Sequence, residues 1–224
     1  MQLSNMEYQE LCATYLDERL SEVLLAHGML GSEIPLFLKY IDIQAMQCPN
    51  QFRALVASFF EISPLWLAGL SKQVTETIKT VDSLQNCLQY LVQGKRLGWK
   101  PKFVFVQSAQ PADNACLVLI ELFKVTKTGM GYITYKQWEP SIAHTLYNLC
   151  KRNSLYYRGI KIGSPLYQAL REHLLLPIIA IKAAQHVWQL EKSFPVVDVK
   201  IPKKAAQLLA ELRCTAITPT HLLV

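Results

Sequence analysis

The residues of this sequence that are most able to do chemistry are cations gathered in its middle third. Residues 95–161 contain eleven Lys or Arg against three Asp or Glu, whereas residues 1–94 carry net −5 and residues 162–224 carry net +3. A basic surface raises the local concentration of polyanions. The predicted phosphate contacts are Lys95, Arg96, Lys100, Lys102, Lys127, Lys136, Lys151, Arg152, Arg158 and Lys161. A solvated basic face without a ligand explains the same charge equally well.

One basic segment also carries an aromatic residue. In KRLGWKPK, residues 95–102, four cations surround Trp99 in a stretch that glycine and proline keep out of regular helix. Such a loop can bind phosphates and stack on a base. The interpretation that we favour is a packing anchor, with lysine stems lying around the tryptophan.

Catalytic and metal-binding patterns are not found. The sequence lacks GxxxxGK[ST], GxGxxG after a strand, GxSxG and HExxH. Its histidines are isolated, and its cysteines stand in apolar settings without a CxxC pair, so we expect reduced core thiols rather than zinc ligands or disulfides. These residues are His27, His144, His173, His186 and His221, and Cys12, Cys48, Cys87, Cys116, Cys150 and Cys214. We therefore expect no enzyme, no cofactor and no metal.

Composition predicts a folded chain outside the membrane. With 224 residues, 51% hydrophobic and 18% charged, the chain can bury a real core. The longest wholly apolar run, residues 174–181, is too short for a bilayer, and the start MQLSNMEYQE lacks the pattern of a signal peptide. We predict a soluble cytoplasmic protein with no membrane span.

The element expected to organise the fold is one long central helix over residues 164–192. Ser164-Pro165 is typical of a helix start, apolar residues recur at helical spacing, and Pro177 predicts a kink. Residues 102–107 and 132–140 indicate short extended pieces, whereas ACLVLIELF suits helix or strand. Asp113, following Pro111, favours helix there. The predicted fold class is mainly α with a few short strands, compatible with a winged or helix-turn-helix element.

Charge and periodicity also suggest a division of the chain. Residues 1–94 are predicted to be an acidic helical region that serves as scaffold or dimerisation surface. Its helices are expected at about 5–27, 32–40, 50–60, 64–69 and 82–92. Residues 95–224 are predicted to be a basic, α-rich domain built on the 164–192 helix, followed by a strand near 194–202 and a short helix over 203–213.

Five short features follow one another within residues 115–176, namely Leu117 to Lys124, Gly129-Met130, Tyr132 to Thr134, Trp138-Glu139 and Ile142 to Leu149. In this order they resemble the FlhC-type flagellar transcriptional activators and their relatives on conjugative elements. The cysteine-rich zinc site of that family has no counterpart, since Cys214 stands alone. The resemblance implies a DNA-binding activator of transcription.

Two functions follow from these observations. The first is a non-enzymatic DNA-binding protein, acting as a transcriptional regulator. The alternative is a non-catalytic adaptor subunit of a larger assembly, such as a secretion or conjugation complex, that binds an acidic protein partner through a basic surface. Either function is compatible with an oligomer or a hetero-complex. A single basic stripe favours DNA, whereas cations around an apolar patch favour a protein partner.

Overall fold

The fold is a mixed sheet with helices on both faces. The computed structural model describes residues 17–29, 37, 49–75, 83–110, 116–125, 129, 131–138, 140–184, 186–194, 197 and 200–213. The helices are α1 (Glu18–Ala26), α2 (Pro49–Phe60), α3 (Pro64–Leu67), α4 (Ser83–Arg96), α5 (Ala143–Asn153), α6 (Ser164–Arg171), α7 (Pro177–Lys182) and α8 (Lys203–Arg213). The strands are β1 (Lys100–Ser108), β2 (Leu117–Val125), β3 (Gly131–Trp138), β4 (Tyr157–Ile162) and β5 (His186–Val187).

The described strands form a five-stranded sheet in the order β3-β2-β1-β4-β5. Strands β1, β2 and β3 form an antiparallel meander, with Val104 opposite Leu119 and Glu121 opposite Tyr135. The chain then crosses through α5 to β4, which lies parallel to β1. The short strand β5 pairs antiparallel with β4. The two longest strands therefore lie inside the sheet.

Burial on both faces explains the continuous apolar runs of the inner strands. Successive side chains of a strand point to opposite faces, so Val104 and Val106 enter one core while Phe103 and Phe105 enter the other. The first core holds apolar residues of α1, α2, α6 and α7, and the second holds those of α4, α5 and α8. A strand covered on both faces is apolar throughout.

The expected helix over residues 113–124 is wrong for this reason. ACLVLIELF forms β2, in which Leu117, Leu119 and Ile120 are fully or almost fully buried. The mainly α fold class is also wrong, because a five-stranded mixed sheet lies at the centre of the molecule. The winged or helix-turn-helix element falls with it, since the run expected as its first helix is an inner strand.

The long central helix over residues 164–192 is not formed. Helix α6 ends at Arg171, and His173 takes a left-handed conformation with φ of 61°. Pro177 begins the separate helix α7, because proline has no N–H to donate and disfavours helix in the residue before it. The chain continues as β5 and a 3-10 turn over Leu190–Lys192. Pro177 therefore starts a helix rather than kinking one.

Several local predictions are confirmed. Ser63 caps α3 by accepting from the Trp66 N–H, as its position before Pro64 indicates. The 50–60 and 203–213 helices and the 102–107 strand occur where expected. Helix α4 continues two residues beyond Gly94, which packs on Leu122. A strand is expected at residues 194–202, but the residues described there do not lie in a strand. The helical residues expected at 5–16 and 32–40 lie outside the described residues, except for Phe37.

No helix in the described part of the chain is long and apolar enough to cross a membrane.

Candidate functional site

Two of the predicted phosphate contacts belong to an internal ion-pair network around Glu121. This carboxylate lies 2.7 Å from the Arg158 guanidinium and 3.6 Å from Lys102 Nζ. It also accepts a hydrogen bond of 3.1 Å from the Tyr135 hydroxyl, whose pKa is raised by burial and then by the Glu121 charge, so the hydroxyl stays protonated. Glu121 is only 7% exposed. Its buried charge needs these partners, and the two cations stabilise the sheet.

Three further predicted cations contact acceptors far away in the sequence. Lys95 Nζ donates to the Glu211 carbonyl over 3.1 Å, and Arg96 pairs with the Glu211 carboxylate at 2.6 Å. These contacts join the ends of α4 and α8. Lys136 pairs with Glu61 at 2.6 Å and so joins β3 to the end of α2.

Among the predicted cations in the described part of the chain, Lys100 and Lys161 make neither a side-chain hydrogen bond nor an ion pair with a described residue. Lys161 stands opposite Gln107, seven residues along β1 from Lys100. At about 3.3 Å per residue the two positions lie roughly 20 Å apart. Lys127 lies outside the described residues. The predicted cations are therefore spread over several elements, and several of them pair with carboxylates of the same chain.

Trp99 is confirmed as a packing anchor. Its ring lies 5.6 Å from that of Phe59, and the ring packs against the apolar core. Lys124 Nζ sits 5.7 Å above the indole and donates to the Leu97 carbonyl over 2.9 Å. These contacts hold the loop around Trp99 against Phe59 of α2 and Lys124 of β2.

The last two predicted cations, Lys151 and Arg152, end helix α5 and are exposed. Lys151 Nζ lies 3.9 Å from the Glu191 carboxylate, and Arg152 donates to the Val197 carbonyl over 3.1 Å. The Val197 N–H in turn donates to Asn148 over 3.0 Å. These contacts place Glu191 and Val197 against α5.

Further cations lie close to Glu191 and Val197 along the chain. Val197 is three residues before Lys200, a span of about 10 Å at most. We call the resulting set of exposed side chains the basic surface; it comprises Lys151, Arg152, Tyr156, Lys192, Val197, Lys200, Lys203 and Lys204. Tyr156 and Val197 are 68% and 41% exposed among these cations. The carboxylates of this part of the sequence are Glu191 and Asp198, the second outside the described residues.

Sequence reasoning missed four of these cations because they lie outside the middle third. The signal was present at the start of α8, where Lys203 and Lys204 occupy the first turn and no acidic residue accompanies them. A helix N-terminus carries partial positive charge, so cations there oppose the helix dipole. Lys203 and Lys204 follow Lys200 by three and four residues, so three cations are concentrated within five residues.

The described thiols are core residues, as predicted. Cys87, Cys116 and Cys150 are free and buried. Burial raises the pKa of the Cys116 thiol to about 12, and it also raises the pKa values of Cys87 and Cys150 well above the usual value. Thiols in this state are not nucleophiles near neutral pH.

No group of three His, Cys, Asp or Glu in the described part of the chain is arranged to bind a metal ion. Comparison with models of protein families, with curated proteins and with solved structures gives no match, so the resemblance to FlhC-type activators stays a prediction.

Proposed function

We propose that the chain is a non-enzymatic DNA-binding protein of the kind that regulates transcription, and that it contacts DNA phosphates through the basic surface. The observation that carries the proposal is the group of six exposed cations at the end of α5, in residues 192–200 and in the first turn of α8. The Lys151 ammonium of this surface lies 3.9 Å from the Glu191 carboxylate, a long ion pair that leaves it exposed. The proposal includes a cytoplasmic location, which the free thiols support because reduced cysteines are typical there.

Phosphate binding would resolve the unfavourable placement of cations at the start of α8. A DNA phosphate near Lys203 and Lys204 would interact favourably with both ammonium groups and with the positive end of the helix. Each neutralised phosphate releases counterions, so the affinity falls steeply with salt. Contacts of this kind position a protein on DNA without reading its sequence.

A second candidate is a non-catalytic adaptor that binds an acidic protein. The observation that favours it is the exposure of Tyr156 and Val197 among the cations, since aromatic residues are enriched where protein partners bind. An adaptor of this kind would bind an acidic polypeptide such as poly-L-glutamate in a salt-sensitive way and would not bind duplex DNA.

The test is the salt dependence of duplex binding, measured by fluorescence anisotropy. Combining Lys200→Ala, Lys203→Ala and Lys204→Ala should lower the magnitude of the slope of log affinity against log salt by roughly two to three. The melting temperature should stay unchanged or rise slightly, because two cations leave a helix N-terminus.

The matched control removes the same charge elsewhere. Lys72, Lys100 and Arg171 are exposed and lie in other elements, so replacing all three by Ala should leave the slope nearly unchanged. Absence of duplex binding at low salt would sink the DNA proposal, and an equal effect of the two triple variants would show that net charge rather than the basic surface matters.

A further inference from the structure

A cavity of about 280 Å³ opens between helix α2 and the edge strand β3. This volume is near the lower end of the range of small-molecule pockets, about 300–1,000 Å³. Ala54 and Ala57 supply part of the wall, and the polar groups come from Ser58, Glu61, Thr75, Lys136 and Gln137. A small space with this many polar groups suits a compact polar molecule.

The cavity presents one cation and one anion. The Glu61 carboxylate accepts from Lys136 Nζ over 2.6 Å and from the Tyr90 hydroxyl over 2.9 Å. Burial, and then the Glu61 charge, raise the pKa of Tyr90 well above its usual value, so this hydroxyl remains a donor. Lys136 keeps two further N–H groups, and each Glu61 oxygen keeps a lone pair. Both charged groups can therefore take an additional partner.

Glu61 stands where local stability favours glycine. It follows α2 with φ of 57°, and the next N–H, that of Ile62, donates to the Ala57 carbonyl over 2.9 Å. This is the left-handed helix end at which glycine is the usual residue. A carboxylate there also faces the negative end of the helix dipole. Residues that oppose local stability in this way are typical of functional sites.

A buried side-chain oxygen in the cavity lining, that of Gln137, has no hydrogen-bond partner among the described residues. Gln137 is 6% exposed, and the atom is its Oε1. Buried carboxamides are normally paired, so this atom indicates a ligand or water. Thr75 also lines the cavity, and its hydroxyl lies 2.7 Å from His173 Nδ1. Burial lowers the pKa of His173, so the neutral ring can accept from Thr75 and leave the hydroxyl lone pairs available.

We propose that this cavity binds a small zwitterion of the free amino-acid type, with its carboxylate at Lys136, its ammonium group at Glu61 and a polar side chain at Gln137. The charge balance carries this choice. A lone anion or cation would add an uncompensated charge beside the partly buried Lys136–Glu61 pair, whereas a zwitterion adds none.

The experiment is calorimetric titration of the full chain with glycine, L-serine and L-glutamine at millimolar concentration. We expect saturable binding of at least one of them. Its N-acetylated and carboxyl-amidated derivatives should each bind about tenfold or more weakly, because each loses a hydrogen bond to a charged group. The derivatives are tested on the unmodified protein, so this arm does not depend on the folding of a variant.

Two cavity variants complete the test. Glu61→Gly and Gln137→Leu should each weaken binding about tenfold or more. Gln137→Leu should keep or raise the melting temperature, because leucine removes an unpaired buried oxygen. Glu61→Gly gains from glycine at the left-handed position but leaves Lys136 and the Tyr90 hydroxyl without their acceptor, so it should lower the melting temperature, and its binding is compared well below that temperature. The matched control is Ser154→Gly, a left-handed position at the end of α5 with φ of 51°, which should bind as the natural chain does.

Three results would overturn the proposal. In the first, none of the three amino acids binds saturably. In the second, the blocked derivatives bind as tightly as the free amino acid. In the third, the affinity is unchanged in either cavity variant or is lost in Ser154→Gly. None of these results bears on the DNA-binding proposal, because that proposal depends on the residues of the basic surface and not on those of the cavity.

Discussion

At the scale of single residues, Glu121 decides how part of the basic middle third is used. A carboxylate 7% exposed in an inner strand cannot be solvated by bulk water. Lys102 compensates its charge from the neighbouring strand β1, and Arg158 does so from β4, the strand beyond β1. A cation that serves a buried carboxylate is not free to bind phosphate, and its position in a basic segment does not reveal this.

Arg158→Ala should destabilise the fold. Removing the guanidinium leaves Glu121 with the longer Lys102 contact and the Tyr135 hydrogen bond, so we expect the free energy of unfolding to fall by about 2 kcal/mol. Lys151→Ala, which removes an exposed ion pair of 3.9 Å, should change it by about 0.5 kcal/mol or less. Urea denaturation measures both, and equal small losses would show that the Glu121 network contributes nothing.

His27 should make stability depend on pH. Burial lowers its pKa from 6.5 to about 4, against the opposing effect of its hydrogen bond to the Val23 carbonyl. The unfolded chain then binds the proton more strongly, so stability is complete above pH 6.5 and falls as the pH drops from 6.5 to about 4.

His27→Gln should remove this part of the pH dependence, about 2–3 kcal/mol, while keeping a donor toward Val23. The measurement is the difference in unfolding free energy between the natural chain and the variant across that pH window. The exposed His186, changed to Gln, is the control and should leave the profile unaltered. A constant difference between the natural chain and His27→Gln would contradict the assignment.

At the scale of elements, the segment after β5 is fitted closely to Gly159. The Trp188 N–H donates to the Gly159 carbonyl over 2.9 Å. A Cβ at Gly159 would lie 2.6 Å from the Trp188 carbonyl oxygen and 2.9 Å from Leu190 Cγ. The chain that follows β5 therefore packs on backbone, and a side chain at this position would push it away.

Gly159→Ala should cost about 2 kcal/mol, within the range for overpacking. Gly163→Ala is the control, because a Cβ there meets its nearest atom, Pro165 Cδ, only at 4.0 Å; it should be neutral or slightly stabilising. Thermal unfolding measures both. If the two variants lose the same stability, the close approach of the segment after β5 is not important to the fold.

Signals within a single turn correctly predicted several elements. Burial in the folded molecule determines whether the wrongly predicted segments form helix or strand. The cap and proline at Ser63-Pro64 act within one turn, so they could be identified without knowledge of the fold. The run in β2 is apolar because both of its faces are covered, and periodicity cannot separate that from a buried helix. The apolar residues of 164–192 belong to two short helices and to the chain near β5. These elements bury them in the two cores without forming one continuous helix.

At the scale of the whole molecule, folding redistributes the charge that the sequence concentrates. Lys136 pairs with Glu61 from the acidic first part of the chain, and Arg96 pairs with Glu211 from the last part. The net charge of a segment therefore overstates the cations available to a partner. The basic surface was only partly predictable, because Lys151 and Arg152 meet cations that come from the end of the sequence.

The most direct test of the DNA proposal is lysine methylation footprinting of the full chain, with and without a short DNA duplex at low salt. We expect the modification of Lys200, Lys203 and Lys204 to slow severalfold on binding, because phosphates cover their ammonium groups. Lys72 and Lys100 should react at the same rate in both samples. Unchanged rates at the three surface lysines while the duplex is bound, or protection of Lys72 and Lys100 instead, would contradict the account.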